Sequence, residues 1–144
     1  MQPDQSITRE IVIDAPAEVV WQTITEPERI SQWFADRVDV AISVGAEGSL
    51  LFHDEGSGAD SVVQVVVEAL ERPRRFAFRW GHGPGLSTLV EFTLEVEGPE
   101  RTRLRVAETG LDGTGWTDEA KSTYAEDHRE GWQIHLQRLA NVLQ

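Results

Sequence analysis

The stretch TDEAKSTYAEDHREGWQIHLQRLANVLQ, residues 117–144, decides the architecture. At about 100° per residue, Ala125, His128, Trp132, Leu136, Leu139 and Leu143 fall within roughly 40° of one direction. Glu126, Asp127, Glu130 and Gln137 point mostly elsewhere. Thr117 is placed to cap the first turn, and Asp118 and Glu119 complement the helix dipole behind it. A helix with one apolar face must bury that face, and the rest of the chain offers a sheet for it.

That sheet is written between Val38 and Thr109. The segments Val38 to Val44, Gly48 to Asp54, Ser61 to Leu70, Phe76 to Trp80, Ser87 to Val96 and Arg103 to Glu108 alternate or are rich in β-branched residues. Turn chemistry separates them: Val44 to Gly48, Glu55 to Gly58, Arg72-Pro73, Gly81-His82-Gly83-Pro84-Gly85 and Glu97-Gly98-Pro99. Short connections of this kind imply an antiparallel meander, since parallel pairs need crossover helices. Further back, Ile7 to Ile13 reads as a first strand. Asp14 is expected to cap the helix behind it, with Pro16 in the first turn and Val19, Val20, Trp21 and Ile24 on its apolar face. Thr25-Glu26-Pro27 breaks this helix, and a second short one follows from Glu28 to about Phe34. The order strand, two short helices, six strands, long helix predicts an α+β domain of two layers over residues 7–144, behind a short tail at 1–6.

Bulk properties narrow the function. The 144 residues carry a formal charge of −12, from 25 acidic and 13 basic side chains. Such a field repels phosphate backbones and anionic lipid surfaces, so no nucleic-acid partner is expected. The basic run Arg72-Pro73-Arg74-Arg75 reads as a solvated turn. No apolar run approaches the ~18 residues of a membrane span. No cysteine is present, which removes thiol nucleophiles and zinc–cysteine sites. With no basic-then-apolar start, a cytoplasmic location is expected.

The element order and several local motifs resemble the START-like, helix-grip (SRPBCC) superfamily. Within it the chain is most similar to the family related to the C-terminal domain of the activator of heat-shock-protein-90 ATPase. The residues that carry the resemblance are Ile13-Asp14-Ala15-Pro16-Ala17-Glu18-Val19-Val20-Trp21, Ile30-Ser31-Gln32-Trp33-Phe34, Gly48 to Phe52, Glu71 to Trp80, Thr88 to Leu94, Val106 to Leu111 and Gly131-Trp132. The resemblance implies a curved sheet of about seven strands gripping the last helix. It also implies a cavity between them that accepts lipid-like, aromatic or polyketide-like molecules.

Strand parity locates the polar end of such a space. Glu108 shares a face with Leu104 and Val106, whereas Arg103 and Arg105 share the other, so Glu108 is expected to point towards the helix. An inward carboxylate needs partners. His128 and Tyr124, one turn apart on the helix, are the candidates, and Glu108 with His128 is the candidate proton-carrying pair. Phe78 and Trp80 share a strand face with Phe76, and Phe52 shares one with Leu50. Together with Trp33, Phe34, Trp132 and Leu136 they would line the cavity with large rings. Gly131, inside the helix, is read first as allowing close approach of helix and sheet, and second as ligand clearance. His128 and His135 are too far apart to chelate one metal, and neither a metal nor an organic cofactor is expected. The leading expectation is a binding module for a small hydrophobic molecule. The alternatives are an acid–base enzyme of cyclase or hydrolase type and a protein-interaction module such as a chaperone cofactor.

Overall fold

The computed structural model describes residues 6–53, 56–83 and 86–143. Of the expected N-terminal tail only Ser6 belongs to them; the side chain of His82 and the Pro84-Gly85 turn lie outside the described residues. The elements are β1 (Ile7–Ile13), α1 (Ala17–Thr25), α2 (Pro27–Ile30), β2 (Arg37–Asp39), β3 (Glu47–His53), β4 (Asp60–Glu71), β5 (Arg75–Gly83), β6 (Leu86–Gly98), β7 (Arg101–Thr109) and α3 (Asp118–Val142). A single turn of 3₁₀ helix, Leu111–Thr114, precedes α3. The seven strands form one sheet in the order β1-β7-β6-β5-β4-β3-β2, every neighbouring pair antiparallel. The meander runs from β2 to β7, and β1 closes onto β7. The fold is α+β of the helix-grip type.

Alternation sets which side faces the helix. In β7 Thr102, Leu104, Val106 and Glu108 are buried, while Arg101 and Arg105 are exposed. On α3, Ala125, Trp132, Leu136 and Leu139 are buried against this concave face. Each fully buried Leu contributes about 1.5–3 kcal/mol, so tertiary burial rather than propensity holds α3 in place. The Thr117 hydroxyl accepts a bond from the Ala120 N–H at 3.1 Å, the N-cap its sequence called for.

Three local expectations are corrected. Asp14 does not cap α1: Pro16 occupies the N-cap position, without a side-chain bond, and the exposed Asp14 lies 3.8 Å from Arg101. The second helix is one turn, Pro27–Ile30, and Trp33 and Phe34 follow it in a turn fixed by the Trp33 indole N–H donating to the Thr23 carbonyl at 2.9 Å. The alternating run Val38 to Val44 is a strand only at its start, because Arg37–Asp39 is the extent of β2. Of its remaining residues Val40 and Ile42 turn inwards from a bend and are half-buried, while Val44 is exposed.

Two of the three arginines of the Arg72–Arg75 patch pair within the fold, and Arg74 is exposed. Arg72 pairs with Glu18 of α1, and Arg75 with Glu71 and Glu91. Gly48 marks the tightest backbone approach. A Cβ there would stand 2.2 Å from the Asp39 carbonyl oxygen and 2.5 Å from the Val40 Cβ, so any side chain must push β2 away. Gly48→Ala is expected to destabilise the fold by about 1–3 kcal/mol, read by chemical denaturation, as overpacking generally does.

Candidate functional site

Three adjacent strands and α3 converge on one carboxylate. Trp80 of β5 is register partner to Thr88 of β6, and Glu108 of β7 is partner to Val90, two residues further along β6. All three side chains are buried on the concave face, and Glu108 has no exposed surface. Gly110 ends β7 with φ +101, a conformation that side chains rarely adopt, directly beside the Thr88 main chain. From α3, Tyr124, His128 and Trp132 descend at four-residue spacing, one below the other on a single face.

Glu108 accepts five hydrogen bonds. Its Oε2 receives Thr88 Oγ1 at 2.7 Å, Trp80 Nε1 at 3.0 Å and the Tyr124 hydroxyl. Its Oε1 receives His128 Nδ1 at 2.8 Å and Trp132 Nε1 at 3.1 Å. The Trp80 N–H also forks towards Thr88 Oγ1 at 2.8 Å, so the hydroxyl passes the bond on. An indole N–H can only donate, and two of them aim at this group. The ionised carboxylate is therefore the form the site was shaped around; a protonated one would set O–H against N–H.

The electrostatics follow from those contacts. Burial pushes the Glu108 carboxyl up, but His128, Tyr124 and Thr88 outweigh it and hold the group below its ordinary 4.5, at about 2. Burial, followed by the Glu108 charge, drives the Tyr124 phenol well above its usual range, so it stays a donor. Since a carboxylate only accepts, the His128 proton sits on Nδ1. Nε2 then points away from Glu108 with no hydrogen-bond partner among the described residues, and the side chain is 28 % exposed. The Tyr124 and His128 rings stack with centroids 3.7 Å apart. Tyr124→Phe removes one donor while keeping the ring, and is expected to cost about 1–2 kcal/mol in thermal or chemical unfolding.

The remaining site residues divide among three places. Trp33, Phe34 and Phe78, with Phe92, Leu50 and Val38, line an apolar void of about 30 Å³ between the sheet and the α1–α2 side of the fold, and no residue of α3 borders it, contrary to the expected cavity between sheet and long helix. Phe52 packs edge-on against Phe34, at 5.3 Å. Trp80, His128 and Trp132 border a separate open groove on the outer side, with Asp127, Gly131 and His135. Glu108 and Leu136 are fully buried and border neither space. The interior is thus mostly filled by its own rings: Phe34 lies 5.2 Å from Trp132 and 5.9 Å from Trp80, both stacked. Close helix–sheet approach does not explain Gly131, because a Cβ there would meet nothing within 4 Å. Sequence reading paired Glu108 with Tyr124 and His128 but missed Thr88, Trp80 and Trp132 as its donors. It also missed Asp127 and His135 beside the groove. Among the described residues no cluster of three or more His, Asp or Glu is arranged to hold a metal ion. None of the described helices is long and apolar enough to cross a membrane.

The family model described as "Activator of Hsp90 ATPase homolog 1-like protein" matches residues 14–144. The chain belongs to this family. None of the curated proteins matches it. Among solved structures it is similar to DynU16, a protein in the dynemicin biosynthetic locus, with 28% identity and a TM-score of 0.78. That likeness covers 98% of this chain and 48% of the other, so this family member spans about half the length of DynU16. CalU16 from Micromonospora echinospora shares the fold at 24% identity and a TM-score of 0.69, over 93% of this chain and 73% of that one. The Aha1 dimer from Colwellia psychrerythraea does so at 20% identity and 0.69, over 96% and 95%.

Proposed function

We propose that this family member binds a small hydrophobic molecule against the concave face of the sheet, under α1, α2 and the Val38–Ile42 bend. The observation that carries the reading is the interior void, whose lining is entirely apolar and whose outer wall is thin. That wall is Val38 of the three-residue β2 with Val40 and Ile42 of the bend behind it, all half-buried. At about 30 Å³ the space holds little more than a methyl group, whereas sites for drug-sized ligands run to about 300–1,000 Å³. Entry therefore requires the Val38–Ile42 wall to move outward and the rings behind it to repack. The likeness to DynU16, a protein of the dynemicin biosynthetic locus, adds support for a small organic ligand.

The test is a titration of delipidated protein with fatty acids and neutral polycyclic aromatics. Tryptophan emission is the readout, because Trp33 borders the void. A saturable change and a rise in Tm are expected with at least one ligand class, both lost in Val38→Phe, which fills the void from its wall. A flat response across the whole panel removes the reading.

A second reading is acid–base catalysis, and one observation favours it. The Glu108–His128 pair holds Nδ1 from behind and turns Nε2 outward, the arrangement that lets an imidazole exchange protons with a bound molecule. Turnover of a cyclisable or hydrolysable substrate would vanish in His128→Gln while the fold survived.

A further inference from the structure

The outer groove is made by an omission. Asp127, Gly131 and His135 follow one another at four-residue spacing along α3, a single row on the helix surface. The middle member has no side chain, and a Cβ added there would meet only open space. The gap leaves a groove of about 250 Å³ between Asp127 and His135, floored by Trp80 and Trp132 and flanked by His128. The two indoles are stacked at 5.7 Å and 26°, and both have their N–H turned down to Glu108, so the floor offers ring surface and no donor.

Three polar side chains surround that floor. His128 Nδ1 is bound to Glu108, leaving Nε2 without a partner among the described residues. His135 Nδ1 is buried without a hydrogen-bond partner, and it is the one such side-chain nitrogen or oxygen among them. Burial above all holds the His135 imidazole below its ordinary range, opposed by the Trp33 backbone, so the ring is neutral at pH 7 while its Nδ1 goes without a partner. At the other end stands the exposed carboxylate of Asp127, which makes no ion pair among the described residues. An unpaired buried acceptor costs about 1–3 kcal/mol until a donor arrives.

We propose that this groove binds a flat aromatic cation with hydrogen-bond donors at its two ends, of the aryl-diamine type. The ring lies over Trp80 and Trp132 where a side chain at position 131 would otherwise stand. One donor reaches His135 Nδ1, and the other reaches Asp127. At 1.5 Å per residue these two residues are about 12 Å apart along the helix, about the span of a three-ring system with an amine at each end. The formal charge of −12 draws such a cation in and repels a flat anion of the same size. The groove and the interior void share no lining residue, so this proposal stands apart from the interior reading.

Proflavine, a planar tricycle with an amino group at each end, is the probe. Acridine, the same tricycle without the amines, and anthraquinone-2,6-disulfonate are its comparators. Calorimetric titration is expected to show proflavine binding at one site, acridine at least tenfold weaker and the disulfonate without detectable binding. Gly131→Leu fills the groove and is expected to weaken proflavine at least tenfold, with a Tm equal to or above that of the parent protein. Asp127→Asn, at an exposed position that the fold does not use, should weaken it severalfold. Equal affinity for proflavine and acridine, or undiminished proflavine binding in both variants, overturns the proposal. Responses to the neutral interior panel are expected to be unchanged in Gly131→Leu, so a failure of either site is read separately from the other.

Discussion

Glu108→Gln is expected to destabilise the protein by about 3–5 kcal/mol, a fall in Tm of roughly 10 °C or more. The side chain keeps its shape, so the loss is one of hydrogen-bond logic. Five donors converge on the two oxygens. A carboxamide must turn its NH₂ towards one of the two groups. If it faces Oε2's partners, the Thr88 and Tyr124 hydroxyls can turn to accept, but Trp80 cannot. If it faces Oε1's, His128 can change tautomer and accept, but Trp132 cannot, since an indole nitrogen only donates. Each buried donor left unpaired costs about 1–3 kcal/mol. Equilibrium denaturation at neutral pH measures the sum, and a change of less than about 1 kcal/mol would show that the carboxylate is dispensable to the fold.

The second large effect is acid-induced loss of stability. The Glu108 pKa is lowered in the folded protein, from 4.5 to about 2. A depressed carboxyl contributes stability that is fully present above its unfolded value and is lost as pH falls through its folded value. The window is therefore from about pH 5 down to about pH 2, and the contribution is about 3 kcal/mol at 1.36 kcal/mol per unit. Other carboxylates also titrate there, so the informative quantity is the difference between the parent and Glu108→Gln. That difference should shrink by about 3 kcal/mol between pH 6 and pH 2. Parallel curves for the two proteins would place the acid sensitivity elsewhere.

Much of this is legible in the sequence alone. The alternation in Leu104 to Glu108 put the carboxylate inward, and helical spacing put Tyr124 and His128 on the face it meets. Both inferences use a single element's own periodicity. The donors that were missed depend on register between elements. Trp80 and Thr88 meet because the β5–β6 hairpin pairs them, and they reach Glu108 because β6 and β7 are offset by two residues at that level. No local pattern encodes such an offset. Asp14 failed as a cap for a different reason: it has the right chemistry two residues too early, with Pro16 in the capping position. Val40 and Ile42 carry strand-like alternation but serve as the wall of the void from a bend, where the same apolar spacing has another cause. Gly131 stands out as a glycine inside a helix, but only the open space above it discards close helix–sheet approach as its cause.

The carboxylate also works as a key for the helix. An apolar face repeating every three or four residues is indifferent to a slide of one turn, because leucine replaces leucine at nearly the same energy. The positions of Tyr124, His128 and Trp132 against Glu108 are not. Slide α3 one way and Leu136 arrives where Trp132 donated; slide it the other way and Ala120 replaces Tyr124. Either slip leaves a buried charge facing a hydrocarbon, and only the native seating returns all three donors. Greasy contacts supply the adhesion between sheet and helix, while one ion surrounded by protons dictates where along its length the helix comes to rest.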